Sequence, residues 1–320
     1  MKRERKGMTA ENRPLDQDPA APVYHVPVLR DEVVDGLITD PSGIYVDCTF
    51  GGGGHSRALL AALTPDARLF AFDQDEDARR NLPDDPRLVF VPQNFRHIGR
   101  FLRLHQVRQV DGIMADLGVS SHQFDEPTRG FSTRFDAPLD MRMDARAERT
   151  AANLLEDMSE EELHKLFERY GEVTNSRTLA KHIVSYRKSA PLQTIDQFKS
   201  ALQPVVKGNP HKYFAQVFQA LRIAVNDELG ALKELLEQTP TLLRPGGRVA
   251  VITFHSLEDR LVKIFFREGG FEQAATDEVY GTRPESPFTL ITRKPILPGD
   301  DELRRNPRSR SAKLRIAEKK

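Results

Sequence analysis

Apolar residues in this chain fall into short unbroken runs separated by stretches of helical periodicity. Runs at 43–47, 69–73, 88–91 and 110–115 show no polar alternation, the pattern of strands covered on both faces. The stretch 56–63 between the first two has helical spacing. Strands alternating with helices predict βαβ units and a parallel sheet. From about 121 to 208 the buried-strand pattern stops. Ser159 with Glu162 forms a capping box that opens a helix through Arg169, ended by Gly171. A second helix is expected over 175–188. Thr194 with Gln197 opens a third, reaching about Gln203. Asn209-Pro210 suits the N-cap and first position of a long, interrupted helix to Leu243. A turn at 243–247, a strand at 248–254, a helix at 256–266 and a strand at 288–292 return the α/β signal.

This organisation predicts a disordered extension over 1–22, one α/β domain built from 23–120 and 209–320, and a helical insert at 121–208. A length of 320 residues suits about two domains. The hydrophobic share of 39% is enough for a core. One cysteine, Cys48, excludes an intramolecular disulfide and a multi-cysteine metal site, and no metal is expected. No run approaches the ~20 apolar residues of a membrane span. A charged start without an apolar stretch is not a secretory signal. These features predict a soluble cytoplasmic protein with no membrane partner.

Lys+Arg and Asp+Glu balance at 47 each, but the ends are basic. Residues 303–320 hold eight basic residues and one acid. Such a terminus is commonly a solvated tail, and taken alone it does not point to RNA.

Four glycines, 51–54, join the first strand to the first helix. Without Cβ atoms a ligand can lie against the main chain, and the helix start offers unpaired N–H groups. The dinucleotide fingerprint fails at Ser56, and His55 stands where a P-loop needs lysine. Asp73 ends the second strand, nineteen residues past Gly54. An acid about 20 residues on suits ribose hydroxyls. With nothing calling for pyrophosphate, S-adenosyl-L-methionine is the expected cofactor. Asp116, closing the fourth strand before Leu117-Gly118-Val119-Ser120-Ser121, lies where strand ends border a ligand crevice. It is expected either to contact the cofactor or to orient a target amine.

Several blocks together resemble the S-adenosylmethionine-dependent 16S ribosomal RNA small-subunit methyltransferase H family. They are Val46-Asp47-Cys48-Thr49-Phe50-Gly51 with Gly53-Gly54-His55-Ser56, Asp116-Leu117-Gly118-Val119-Ser120-Ser121, Arg129-Gly130-Phe131-Ser132, and Pro138-Leu139-Asp140-Met141-Arg142-Met143. Phe218-Gln219-Ala220-Leu221-Arg222-Ile223, Phe254-His255-Ser256-Leu257-Glu258-Asp259-Arg260 and Asn306-Pro307-Arg308 continue the series. The similarity runs from about Tyr24 to Ile316. Residues 211–217 replace the Pro-Ala-Thr-Arg type of stretch of many members.

The resemblance implies a Rossmann-like methyltransferase sheet with a helical substrate-recognition insert, acting on N4 of a cytidine in the decoding region of 16S ribosomal RNA. It implies cofactor contacts at Gly53, Gly54, His55, Asp73, Phe95, Asp116 and Gln123. The substrate would be 16S RNA within a small subunit or assembly intermediate, with a homodimer left open. An extruded base would enter between sheet and insert, with Asp116 orienting its amine and Ser120 helping. Arg129, Phe131 and Arg142 are expected to contact the substrate, with Phe131 stacking and Arg134 or Arg142 on phosphate. Met141 and Met143 are expected to pack. His255 is a further expected RNA contact, and Arg308, Arg310, Lys313 and Arg315 are expected phosphate ligands. Phe214, Phe218, Leu221 and Val225 share a helical face and read as core. His164 and His182 read as structural or solvated. The competing classes are a DNA or protein amine methyltransferase, a nicotinamide dehydrogenase and a non-catalytic assembly factor.

Overall fold

The computed structural model describes residues 27–271 and 285–320; the expected extension at 1–22 lies outside them. The first half holds α1 (Arg30–Leu37), β1 (Ile44–Asp47), α2 (Gly54–Ala62), β2 (Arg68–Phe72), β3 (Leu88–Val91), α3 (Ile98–Leu104) and β4 (Val110–Asp116). Helices α4 (Ser121–Asp125), α5 (Ala151–Asp157), α6 (Glu160–Gly171), α7 (Ser176–Tyr186), α8 (Ile195–Leu202) and α9 (Pro210–Asn226) follow. The chain then forms α10 (Glu228–Leu242), β5 (Leu243–Thr253), α11 (Ser256–Glu268), β6 (Phe288–Leu290), α12 (Asp300–Arg305) and β7 (Lys313–Lys319).

The strands make one sheet in the order β3-β2-β1-β4-β5-β7-β6, with β1 to β5 parallel and β7 antiparallel to both neighbours. Successive residues of a strand feed opposite faces. Ile113 and Val251 join the core under α3, α10 and α11, while Met114 and Ile252 join the one under α1 and α2. Both faces are covered, which is why the strands read as continuous apolar runs. The order reverses between β1 and β4, and ligands of open α/β sheets bind outside the carboxyl ends at such a point.

A separate core gathers the helices after β4. Leu155, Leu166, Phe167, Leu179 and Phe198 are buried there together with Val217, Phe218 and Leu221 of α9. The capping boxes at Ser159–Glu162 and Thr194–Gln197 form as expected. The expected end of the insert at 208 falls ahead of α9, yet α9 packs into that same core.

Four local readings change. The single long helix expected after Asn209 is two, because Asp227 adopts a left-handed φ of 46° between α9 and α10. The expected turn at 243–247 is a bulge inside β5, where Val110 pairs with Leu243 but Gly112 with Arg248. The helix α1 was not expected. Most consequentially, the basic C-terminus is not a solvated tail. Its last residues form β7, with Leu314, Ile316 and Ala317 buried.

Candidate functional site

Three carboxylates sit at the carboxyl edge around the strand-order reversal: Asp47, Asp73 and Asp116. Asp47 is fully buried and accepts the Ser56 hydroxyl at 2.7 Å and the Thr49 amide at 3.0 Å. It ties the end of β1 to the first turn of α2. Between them the glycine loop turns twice through left-handed backbone, at Gly51 (φ 50°) and Gly53 (φ 73°), conformations that favour glycine. Asp73, just past β2, accepts the Gly51 amide at 2.7 Å and the Asp75 amide at 2.8 Å. Asn81 donates to the Gly51 carbonyl at 3.1 Å. The loop is thus held by its neighbours in an open shape. Burial lifts the Asp73 carboxyl to about 6.

Asp116, the last residue of β4, is likewise pushed to about 6, mainly by burial. Its amide donates to the Thr49 hydroxyl at 2.7 Å, while its Oδ1 is buried with no hydrogen-bond partner among the described residues. Its Oδ2 stands 3.7 Å from His55 Nδ1. The ring of His55 is held at Nε2, 2.9 Å from the Val28 carbonyl.

Asp73, Asp116 and His55 border one cavity of about 870 Å³, whose wall also includes Gly51, Gly52, Gly54, Phe95, Ser120 and Gln123. Gly53 is not on that wall; a Cβ there would meet the Phe50 ring at 2.8 Å. At Gly52 a Cβ would meet nothing within 4 Å among the described residues. Ser120 caps α4: its hydroxyl accepts the Gln123 amide at 3.1 Å, and Gln123 Oε1 accepts the Ser120 amide at 3.0 Å. Gln123 Nε2 then donates to Asp75 at 2.8 Å. Phe95 packs partly against the sheet core.

Residues 22–320 match the sequence profile of the MraW methylase family. The chain belongs to the MraW methylase family. It is 53% identical over 298 residues to the ribosomal RNA small subunit methyltransferase H of Parabacteroides distasonis (strain ATCC 8503), covering 92% of this chain and 97% of that one. The protein of the same name from Bacteroides thetaiotaomicron is 53% identical over 298 residues, covering 93% and 98%. That of Flavobacterium johnsoniae is 52% identical over 297 residues, covering 92% and 98%.

In this MraW methylase several expected RNA contacts have other partners. Phe131 is buried in the helical core beside Leu139 and Met141, so its ring presents no open face for stacking. It follows Gly130, whose turn (φ 73°) packs against the Pro138 carbonyl and carries the chain inward. Arg129 pairs with Asp75 at 2.9 Å and with Asp77 at 3.4 Å, and donates to the carbonyls of Arg142 and Met143. It locks the 126–150 loop to the sheet edge. Arg142 grips Asp140 through two bonds and the carbonyls of Ala145 and Ala147. His255 caps α11, with Nδ1 accepting the Glu258 amide at 3.4 Å and Nε2 lying 3.1 Å from Glu258 Oε1. Arg315 is buried on Asp259 at 2.7 Å, with Lys313 on the same carboxylate at 3.4 Å. These two are cross-links of the sheet rather than a free basic surface. Arg310 is exposed.

At the cavity mouth, Arg308 lies 4.9 Å over the Phe124 ring and pairs with Asp125 at 2.5 Å. Arg134 approaches the same ring from 5.8 Å. Sequence reasoning missed Phe124. It also missed a buried ionic cluster on the cavity wall, where Arg222 holds Glu228 at 2.9 Å near Glu258. The only sequence signals were the charged positions inside otherwise apolar helices.

Proposed function

We propose that this protein is an S-adenosylmethionine-dependent methyltransferase acting on N4 of a cytidine in the decoding region of 16S ribosomal RNA, within a small subunit or assembly intermediate in the cytoplasm. The observation that carries the reading is one cavity that combines a bare glycine turn, an acid just past β2 and a carboxylate at the end of β4.

The residues fit the cofactor. The open space beside Gly52 admits a ligand against the main chain. The loop is shaped by Asp73, whose carboxylate oxygens keep lone pairs for sugar hydroxyls beyond the two amides they accept. Phe95 offers apolar surface for a base on the same wall. When bound, S-adenosylmethionine supplies an electrophilic methyl group on a sulfonium. The chain's own work is mostly positioning. Asp116 accepts a hydrogen bond from the target amine and turns its lone pair toward the methyl. Ser120 orders α4 beside it. The helices from 121 to 226 form the wall that faces the RNA, with Arg308 and Arg134 at the mouth.

The test is incubation with radiolabelled S-adenosylmethionine and separate pools of RNA, DNA and protein, followed by mapping of the labelled nucleotide. Label at a cytidine N4 of 16S RNA is expected, missing from RNA of cells that lack the protein. Label confined to DNA or protein overturns the reading.

A further inference from the structure

The His55 ring is fixed in a way that dictates where its lone pair points. Nε2 is 2.9 Å from the Val28 carbonyl. A carbonyl oxygen only accepts, so Nε2 carries a hydrogen. In the neutral ring the lone pair is then on Nδ1, and Nδ1 faces Asp116 Oδ2 at 3.7 Å. An imidazole lone pair and a carboxylate facing each other repel. One proton between them removes the repulsion, either as carboxylic acid with imidazole or as carboxylate with imidazolium. The geometry is that of a two-site holder for a single proton.

Its surroundings favour taking up that proton. Asp116 is faced by His55 from α2, Asp47 from the end of β1, Glu258 from α11 and Glu302 from α12, three acids and one imidazole. The imidazole is 5% exposed, and the next residue, Ser56, is anchored to Asp47. Oδ1 of Asp116 is buried without a partner, so an incoming amine meets the carboxyl through Oδ2, the oxygen nearest His55. Both His55 and Asp116 stand on the cavity wall.

We propose that His55 is the second half of the proton acceptor, receiving at Nδ1, through Asp116 Oδ2, the proton that the target amine loses. This rests on the amine-methylating function proposed above. As the amine nitrogen bonds to carbon, the carbon–sulfur pair stays on sulfur. One N–H bond then breaks and returns its pair to nitrogen. The freed proton forms O–H with Oδ2 and then N–H with Nδ1, leaving carboxylate and imidazolium until solvent removes it. The 3.7 Å separation is that of a resting site, where catalytic hydrogen bonds are often long and tighten with substrate bound.

Two measurements decide it. Ring-nitrogen NMR of the resting protein, wild type and Asp116→Asn, reads the pair without turnover. His55 Nε2 is expected to carry the hydrogen in both proteins, and the Nδ1 signal to differ between them because the group it faces has changed. An unchanged Nδ1 signal, or a lone pair on Nε2, overturns the coupling. The second is single-turnover transfer to RNA across pH by wild type and His55→Gln, a variant that keeps an N–H for the Val28 carbonyl but nothing to protonate at that site. The rate at saturating cofactor is expected to fall about 10²-fold and its acidic limb to move, with melting temperature close to wild type. A variant that keeps the wild-type pH limb at saturating cofactor overturns the proposal, as does one with the wild-type rate. If the wild type transfers no methyl to RNA, the functional reading itself fails, while the NMR comparison still decides whether the two residues share a proton.

Discussion

Asp73 accepts the backbone N–H of Gly51 at 2.7 Å across the β1–β2 edge. The carboxylate proposed to hold the cofactor's ribose therefore also shapes the glycine turn that would lie beneath it. Its second oxygen takes the Asp75 amide at 2.8 Å, so each oxygen already faces a donor.

Asp73→Asn is expected to behave almost as badly as Asp73→Ala. Whichever way the amide is turned, its NH₂ faces one of two backbone N–H groups. A buried donor without an acceptor costs on the order of 1–3 kcal/mol. Titration calorimetry should find cofactor affinity reduced at least about tenfold in both variants. An Asp73→Asn protein that binds as tightly as wild type would remove the carboxylate from the site.

Adjacent glycines should separate folding from binding. At Gly53 a methyl would press on Phe50 at 2.8 Å in a left-handed backbone (φ 73°). Gly53→Ala is expected to lower stability by roughly 1–3 kcal/mol, read as a lower denaturation midpoint. At Gly52 a methyl meets nothing within 4 Å, so Gly52→Ala should melt with the wild type. Its cofactor affinity should nevertheless fall, because the methyl enters space the ligand is proposed to use. Unchanged affinity in Gly52→Ala would mean that the ligand does not cross that turn.

Asp116 makes stability and activity depend on pH in opposite ways. Its carboxyl is raised to about 6 in the folded protein, from an ordinary 3.8. Between those values the folded state binds the proton more readily than the unfolded one. The stability this supplies is complete below about 4 and is lost as pH rises through 6. Above 6 the buried carboxylate is a burden on the order of 2 kcal/mol. Asp116→Asn should therefore melt higher than wild type at pH 8, with the gap closing toward pH 4. Methyl transfer by the wild type should decline below about 6 as the acceptor becomes protonated, and Asp116→Asn should transfer poorly at every pH. A variant that melts lower than wild type at pH 8 contradicts the burial argument.

Residues at strand ends were legible because their role follows from local order alone. A strand, four glycines, a helix and an acid closing the next strand place Gly51–Gly54, Asp73 and Asp116 together with no knowledge of the rest. Phe131 misled because an aromatic beside arginines in a loop reads the same whether it faces solvent or a core. Only the packing of the helices after β4 decides that it faces inward. β7 was hidden by charge. Leu314 and Ile316 alternate with Lys313, Arg315 and the later polar residues, a strand pattern, but eight basic residues at a terminus read equally as a solvated tail. The contact of Arg308 with Asp125 joins residues 183 positions apart, and no local pattern signals such a pair.

The C-terminal arginines, alike in sequence, should fail differently. Arg315 is 7% exposed and anchors β7 to Asp259 on α11. Arg315→Ala leaves a partly buried carboxylate to Lys313 alone and removes packing between strand and helix. The expected loss is about 2–3 kcal/mol of stability, with RNA affinity unchanged at temperatures where the variant is folded. Arg310 is exposed and makes no ion pair among the described residues. Arg310→Glu should melt as wild type but bind RNA more weakly, with the slope of log affinity against log salt shallower by roughly one, as for one lost phosphate contact. If charge reversal at 310 leaves that slope unaltered, the RNA path avoids this edge, and the cationic surface must be sought at Arg134 and Arg308 by the same titration.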